Sequence, residues 1–71
     1  MSVLRKRFGL QVQKLRKATG MTQEQLADHI DLTVESVSSI ERGVYAPRFD
    51  TLEKISMALN KPLKDLFDFD D

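Results

Sequence analysis

Few side chains in this sequence can do chemistry, and their types exclude most reactions. The 71 residues include no cysteine and one histidine, His29. Nucleophilic catalysis needs a hydroxyl or thiol beside an oriented base, and Ser36, Ser38 and Ser39 have no partner at such a spacing. The acidic residues do not fall at metal-ligand intervals, so no catalytic residue, metal or cofactor is expected. Hydrogen bonding is what remains. Residues 33–42, TVESVSSIER, carry Thr33, Glu35, Ser36, Ser38 and Ser39 around Val37 and Ile40, which lie three apart. At helical spacing these two anchor one face, and short polar side chains cover the rest. Such a helix is presented to a partner rather than buried.

Around that stretch, residues 22–43 read as two short helices joined by a tight turn. Thr22 and Gln25 stand three apart as a capping box, and Leu26, Ala27 and Ile30 follow on one face. Asp31 occupies the turn, where glycine would be easiest if the backbone must reach positive φ; aspartate tolerates that better than most residues. Thr33 caps the second helix and Gly43 closes it. Before them, 3–17 predicts a first helix with an apolar stripe at Leu4, Phe8, Val12 and Leu15. Gly9 within it costs about 1 kcal/mol against alanine, which points to a closely packed neighbour. Gly20 fits the left-handed position after that helix.

After a loop at 44–49, Asp50-x-x-Glu53 predicts an acidic cap for a further helix whose inner face is Leu52, Ile55, Ala58 and Leu59. Asn60 ends it, and Pro62 starts a last short helix at 63–67. Residues 68–71 form an acidic tail expected to fray. The fold class is all-α, a compact bundle of five helices in one domain spanning 1–71.

Composition bounds the partners. No apolar run approaches the roughly 20 residues needed to cross a membrane, and no secretory signal is evident, so a cytoplasmic location is expected. Net charge is zero, but its distribution is uneven. Arg5, Lys6, Arg7, Lys14, Arg16 and Lys17 precede any acid, while Asp65, Asp68, Asp70 and Asp71 follow Asn60. That layout allows one basic face on a neutral molecule.

In order along the chain stand FG-x-x-V-x-x-LR at 8–16, TGMTQEQLA at 19–27, SSIERG at 38–43, AP-x-x-DTLEKIS-x-AL at 46–59 and PLKDLF at 62–67. This ordered set resembles the phage-repressor-like helix-turn-helix regulators (the Cro and lambda-repressor type, or XRE family). The resemblance covers nearly the whole chain. It implies a transcriptional regulator, in the first place a repressor, that binds double-stranded DNA as a homodimer on a palindromic operator. The helix at about 34–42 would then lie in the major groove.

The resemblance implies roles residue by residue, each with a plainer alternative. Val34 and Glu35 are candidates for base contact, to a thymine methyl and a cytosine amine; Glu35 also complements the helix N-terminus. Ser38 and Ser39 are candidates for bases or phosphates, or are plain surface serines. Gln23 matches a phosphate-contacting glutamine; the alternative, bracing the next helix, is weakened because Val34 returns no hydrogen bond. Thr33, Arg42 and Tyr45 are further backbone candidates. Arg48 is a candidate for phosphate or for a narrow minor groove. Arg16 and Glu41 match a structural ion pair. Met57 and Phe69, off the apolar stripes, are candidates for the dimer surface. A second reading uses the same fold as an antitoxin-type module for a protein partner, with Leu10, Val44 and Tyr45 joining that surface.

Overall fold

In the computed structural model of the protein, residues 3–69 are described. Among these described residues five helices follow one another: α1 Val3–Ala18, α2 Gln23–Ile30, α3 Val34–Glu41, α4 Phe49–Leu59 and α5 Leu63–Leu66. No described residue is in a strand, so the all-α expectation holds. Every helix sends apolar side chains into one core: Phe8 and Val12 from α1, Leu26, Ala27 and Ile30 from α2, Val37 and Ile40 from α3, Ile55 and Leu59 from α4, and Leu66 from α5. No helix among the described residues is long and apolar enough to cross a membrane.

The connections follow from local chemistry. Gly20 adopts φ 77° and ends α1. The Thr22 hydroxyl accepts from the Gln25 N–H at 3.1 Å, and the Gln25 side chain accepts from the Thr22 N–H at 2.9 Å, so the capping box is complete. Asp31 takes the left-handed conformation, φ 58° and ψ 42°, and its N–H donates to the Ala27 carbonyl. Leu32 donates to the same carbonyl at 3.0 Å, which turns the chain sharply into α3. Thr33 then caps α3, its hydroxyl accepting from the Ser36 N–H at 3.1 Å.

Gly9 is where α1 crosses the end of α3. A Cβ there would meet the Ile40 carbonyl oxygen inside any permitted contact and the Glu41 carbonyl oxygen at 2.6 Å. Only a residue without a side chain lets the two backbones come this close. Gly43 repeats the device one turn away: it has φ 76°, and a Cβ on it would lie 2.7 Å from the Lys6 Cα.

Three expectations need correction. Leu4 is 56% exposed: the first turn of α1 extends past the core, and Leu4 forms one wall of an open apolar cleft with Phe8, Pro47, Leu52 and Phe67. Asp50 does not cap α4, which starts one residue earlier; Arg48 holds the cap position and makes no side-chain cap bond, leaving Asp50 in the first turn. Its carboxylate there still complements the helix N-terminus. Finally, the tail does not fray at its start. Gln11 donates from its amide nitrogen to the Asp65 and Asp68 carbonyls at 2.9 and 3.2 Å, and Phe69 packs against the core. The Phe69 ring stands 6.3 Å from Phe67, with the Arg7 guanidinium 4.9 Å above it. Asp70 and Asp71 lie outside the described residues.

Candidate nucleic-acid interface

The candidate interface is the outer face of α3 with the start of α2 and the loop that follows α3. Val37 and Ile40 are buried to 1% exposure and fix the inner face of α3. Val34 and Glu35 are exposed on its first turn, and Ser38 and Ser39 are half-buried one turn on. Thr33 is exposed at the cap, its hydroxyl 3.1 Å from that of Ser36. The helix thus presents a short apolar side chain, a carboxylate and hydroxyls at its N-terminal end. That is the set of groups that base edges in a major groove can meet.

Arg42 is exposed at the C-cap of α3, and its Nε donates to the Ser38 hydroxyl at 3.3 Å. The guanidinium lies over the helix's last turn, with most of its donors left over for another acceptor. The loop begins tightly: the Val44 and Tyr45 N–H groups both donate to the Ser39 carbonyl, at 3.0 and 3.2 Å. Tyr45 and Arg48 are exposed on it. The contact between Gly43 and Lys6 puts the basic first turns of α1 beside this loop.

Behind the face lies a buried polar cluster. Arg16 Nε donates to Glu41 Oε2 at 2.6 Å and Arg16 Nη2 to Glu41 Oε1 at 3.1 Å, a bidentate pair. The two side chains are 8% and 1% exposed. Arg16 Nη1 donates to the Met21 carbonyl at 2.8 Å, which ties α1 to the residue before the α2 cap. The Gln23 amide nitrogen donates to Glu41 Oε1 at 3.0 Å. Glu41 thus accepts from two helices at the end of a third. A carboxylate taken out of water is costly unless its lone pairs are used, and here three donors use them.

Arg16 and Glu41 therefore form the ion pair expected of them. Gln23 is braced as well, but to Glu41 at the far end of α3 rather than to Val34 at its start. Met57 is 80% exposed on α4. Phe69 is half-buried, with its ring 6.3 Å from Phe67 and the Arg7 guanidinium 4.9 Å from it. Phe49, directly after Arg48, is 84% exposed, and because it precedes the helix's apolar stripe periodicity does not single it out.

Residues 12–66 match the helix-turn-helix family. The control protein C.BamHI of Bacillus amyloliquefaciens is 44% identical over 63 residues, which cover 87% of this chain and 78% of that protein. The control protein C.MunI of a Mycoplasma species is 43% identical over 68 residues, 94% of this chain and 92% of that one. Among solved structures, the restriction-modification controller protein C.AhdI from Aeromonas hydrophila superimposes with a TM-score of 0.84 at 32% identity, covering 87% of this chain and 94% of that one. The chain belongs to the XRE-type helix-turn-helix family and is a sequence-specific DNA-binding transcriptional regulator.

Proposed function

We propose that this regulator binds a palindromic operator as a homodimer, represses transcription there, and serves a restriction–modification system. The last part rests on the relatives whose names are control or controller proteins. The observation that carries the DNA-binding geometry is the exposed, doubly anchored first turn of α3. In this reading Val34, Glu35, Ser38 and Ser39 face base edges. Gln23, Thr33, Arg42 and Tyr45 face phosphates, and Arg48 reaches a phosphate or the minor groove.

The dimer surface we propose is the outer face of α4. Phe49 and Met57 are its most exposed apolar side chains, and Leu63 lines a groove with Met57 and Glu53. Exposed apolar groups gathered on one helix mark an interaction site more often than isolated ones do. Asp50 and Glu53 lie toward the start of α4, and Lys61 and Lys64 lie beyond its end. Two copies set antiparallel across a two-fold axis would bring these opposite charges together.

Selection of bound sequences from random duplex DNA tests the reading. The expected outcome is an inverted repeat whose half-sites lie one or more helical turns apart. A selected asymmetric single site would overturn the homodimer, and no enrichment at low salt would overturn the recognition face.

A further inference from the structure

The Glu41 side chain is only 1% exposed, yet its position relative to Gln23 gives it a bearing on DNA contact. We propose that Glu41 is a positioning residue: it holds the Gln23 amide with its NH2 end in place to donate to a DNA phosphate. This rests on the phosphate contact proposed above for Gln23.

The geometry is a closed ring. Arg16 donates to the Met21 carbonyl at 2.8 Å, just before the start of α2. It also grips Glu41 through both carboxylate oxygens, at 2.6 and 3.1 Å. Gln23, the first residue of α2, closes the ring by donating to Glu41 Oε1 at 3.0 Å. Start of α2, end of α3 and α1 are thus joined by side chains that are buried or half-buried.

The chemistry of the ring selects one orientation of the amide. A carboxylate is an acceptor only, so it pairs with the NH2 end of Gln23 and not with the carbonyl end. One N–H is used there, and the second remains to donate. Without Glu41 the amide can turn over, and its carbonyl oxygen would then face a phosphate that also has only acceptors. A bare carboxylate near the DNA backbone would repel it, but here the bidentate Arg16 neutralises the charge. The ring also fixes χ angles that an exposed glutamine would otherwise lose entropy to fix on binding.

The test separates positioning from architecture. Two double variants carry the same net charge as the parent and strand no buried ion: Arg16→Met with Glu41→Leu, and Arg16→Met with Glu41→Gln. They differ in whether position 41 offers Gln23 a polar partner, a glutamine there having an oxygen that accepts and an NH2 end that donates. Each protein, with Gln23→Ala as reference, is titrated against operator duplexes bearing one methylphosphonate at each backbone position in turn. Circular dichroism first confirms that each is folded at the assay temperature. Should the leucine pair fold poorly, Arg16→Met with Glu41→Met makes the same comparison.

For the parent, methylphosphonate at one position per half-site is expected to weaken binding about tenfold more than it weakens Gln23→Ala, the loss of one hydrogen bond to a charged group. The leucine double variant should lose that excess and fall within about twofold of Gln23→Ala. The glutamine double variant, which can hold the Gln23 amide in either orientation, should keep part of it and so bind between the leucine variant and the parent in this excess. If the leucine variant retains the full excess, or both double variants lose it alike, the positioning role is overturned. If no phosphate distinguishes the parent from Gln23→Ala, the phosphate contact itself fails, a separate and recognisable result.

Discussion

At the scale of single residues, the buried pair decides how much of the interface survives substitution. Arg16 makes three hydrogen bonds and Glu41 accepts three, so neither charge is short of a partner. Removing Glu41 alone leaves a guanidinium at 8% exposure with only the Met21 carbonyl. Glu41→Leu is therefore expected to lower stability by about 3–5 kcal/mol, the usual cost of stranding one buried charge. Arg16→Met with Glu41→Leu should recover most of that loss, because paired replacement by apolar groups of similar volume is often close to neutral. Urea denaturation of the three proteins checks this. Equal losses for the single and the double variant would mean that packing volume, not charge, sets the cost. This pair was legible in the sequence only through the family resemblance, since nothing in the local pattern links residues 16 and 41. The Gln23 bond to Glu41 was not legible at all. It depends on where two helices end relative to each other, and the local argument looked to Val34, the start of α3.

Among the elements, caps and turns were the most legible because their chemistry is local. Thr22 with Gln25, Thr33, Gly20 and Asn60 all act within four residues of the backbone they serve. Periodicity failed where it had no knowledge of a partner. Leu4 keeps the helical spacing of Phe8 and Val12, but the cleft it walls with Leu52 and Phe67 leaves it exposed. The tail misled in the opposite sense, since acidic neighbours disguised a phenylalanine that folds back onto α1. Asp31 is the element-level departure with a measurable consequence. Its φ of 58° is affordable for aspartate but easier for glycine. Asp31→Gly should raise stability by a few tenths to about 1 kcal/mol, the gain from the relaxed turn exceeding glycine's added unfolded-state entropy. Thr33→Ala should lower it by about 1 kcal/mol by leaving the Ser36 N–H without its cap. Thermal unfolding of both variants gives the signs. A destabilised Asp31→Gly would show that the aspartate side chain contributes more to the turn than its backbone conformation costs.

For the whole molecule, the question is how a neutral chain of 71 residues holds a DNA site. In the proposed reading one helix of eight residues, α3, contacts only a few bases, and zero net charge gives little long-range attraction. The two-fold pair of helices proposed above lifts the first limit and offsets the second through affinity, because the second half-site then binds as an intramolecular event. The gain from such linkage is about 10²- to 10⁴-fold without any new type of contact. Met57, exposed on α4 and distant in sequence from every proposed DNA contact, is the residue through which to remove it. Met57→Asp places a carboxylate on a face that already carries Asp50 and Glu53, and across a two-fold axis it would lie close to its own copy. The variant should sediment as a monomer at micromolar concentration and keep the parent's helical content. Its affinity for the full operator should fall by about 10²- to 10⁴-fold, while its ranking of substituted half-sites stays that of the parent. A Met57→Asp protein that remains dimeric with full operator affinity would move the dimer surface off α4. A monomer whose half-site ranking also changed would mean that the dimer contact sets the angle at which α3 enters the groove.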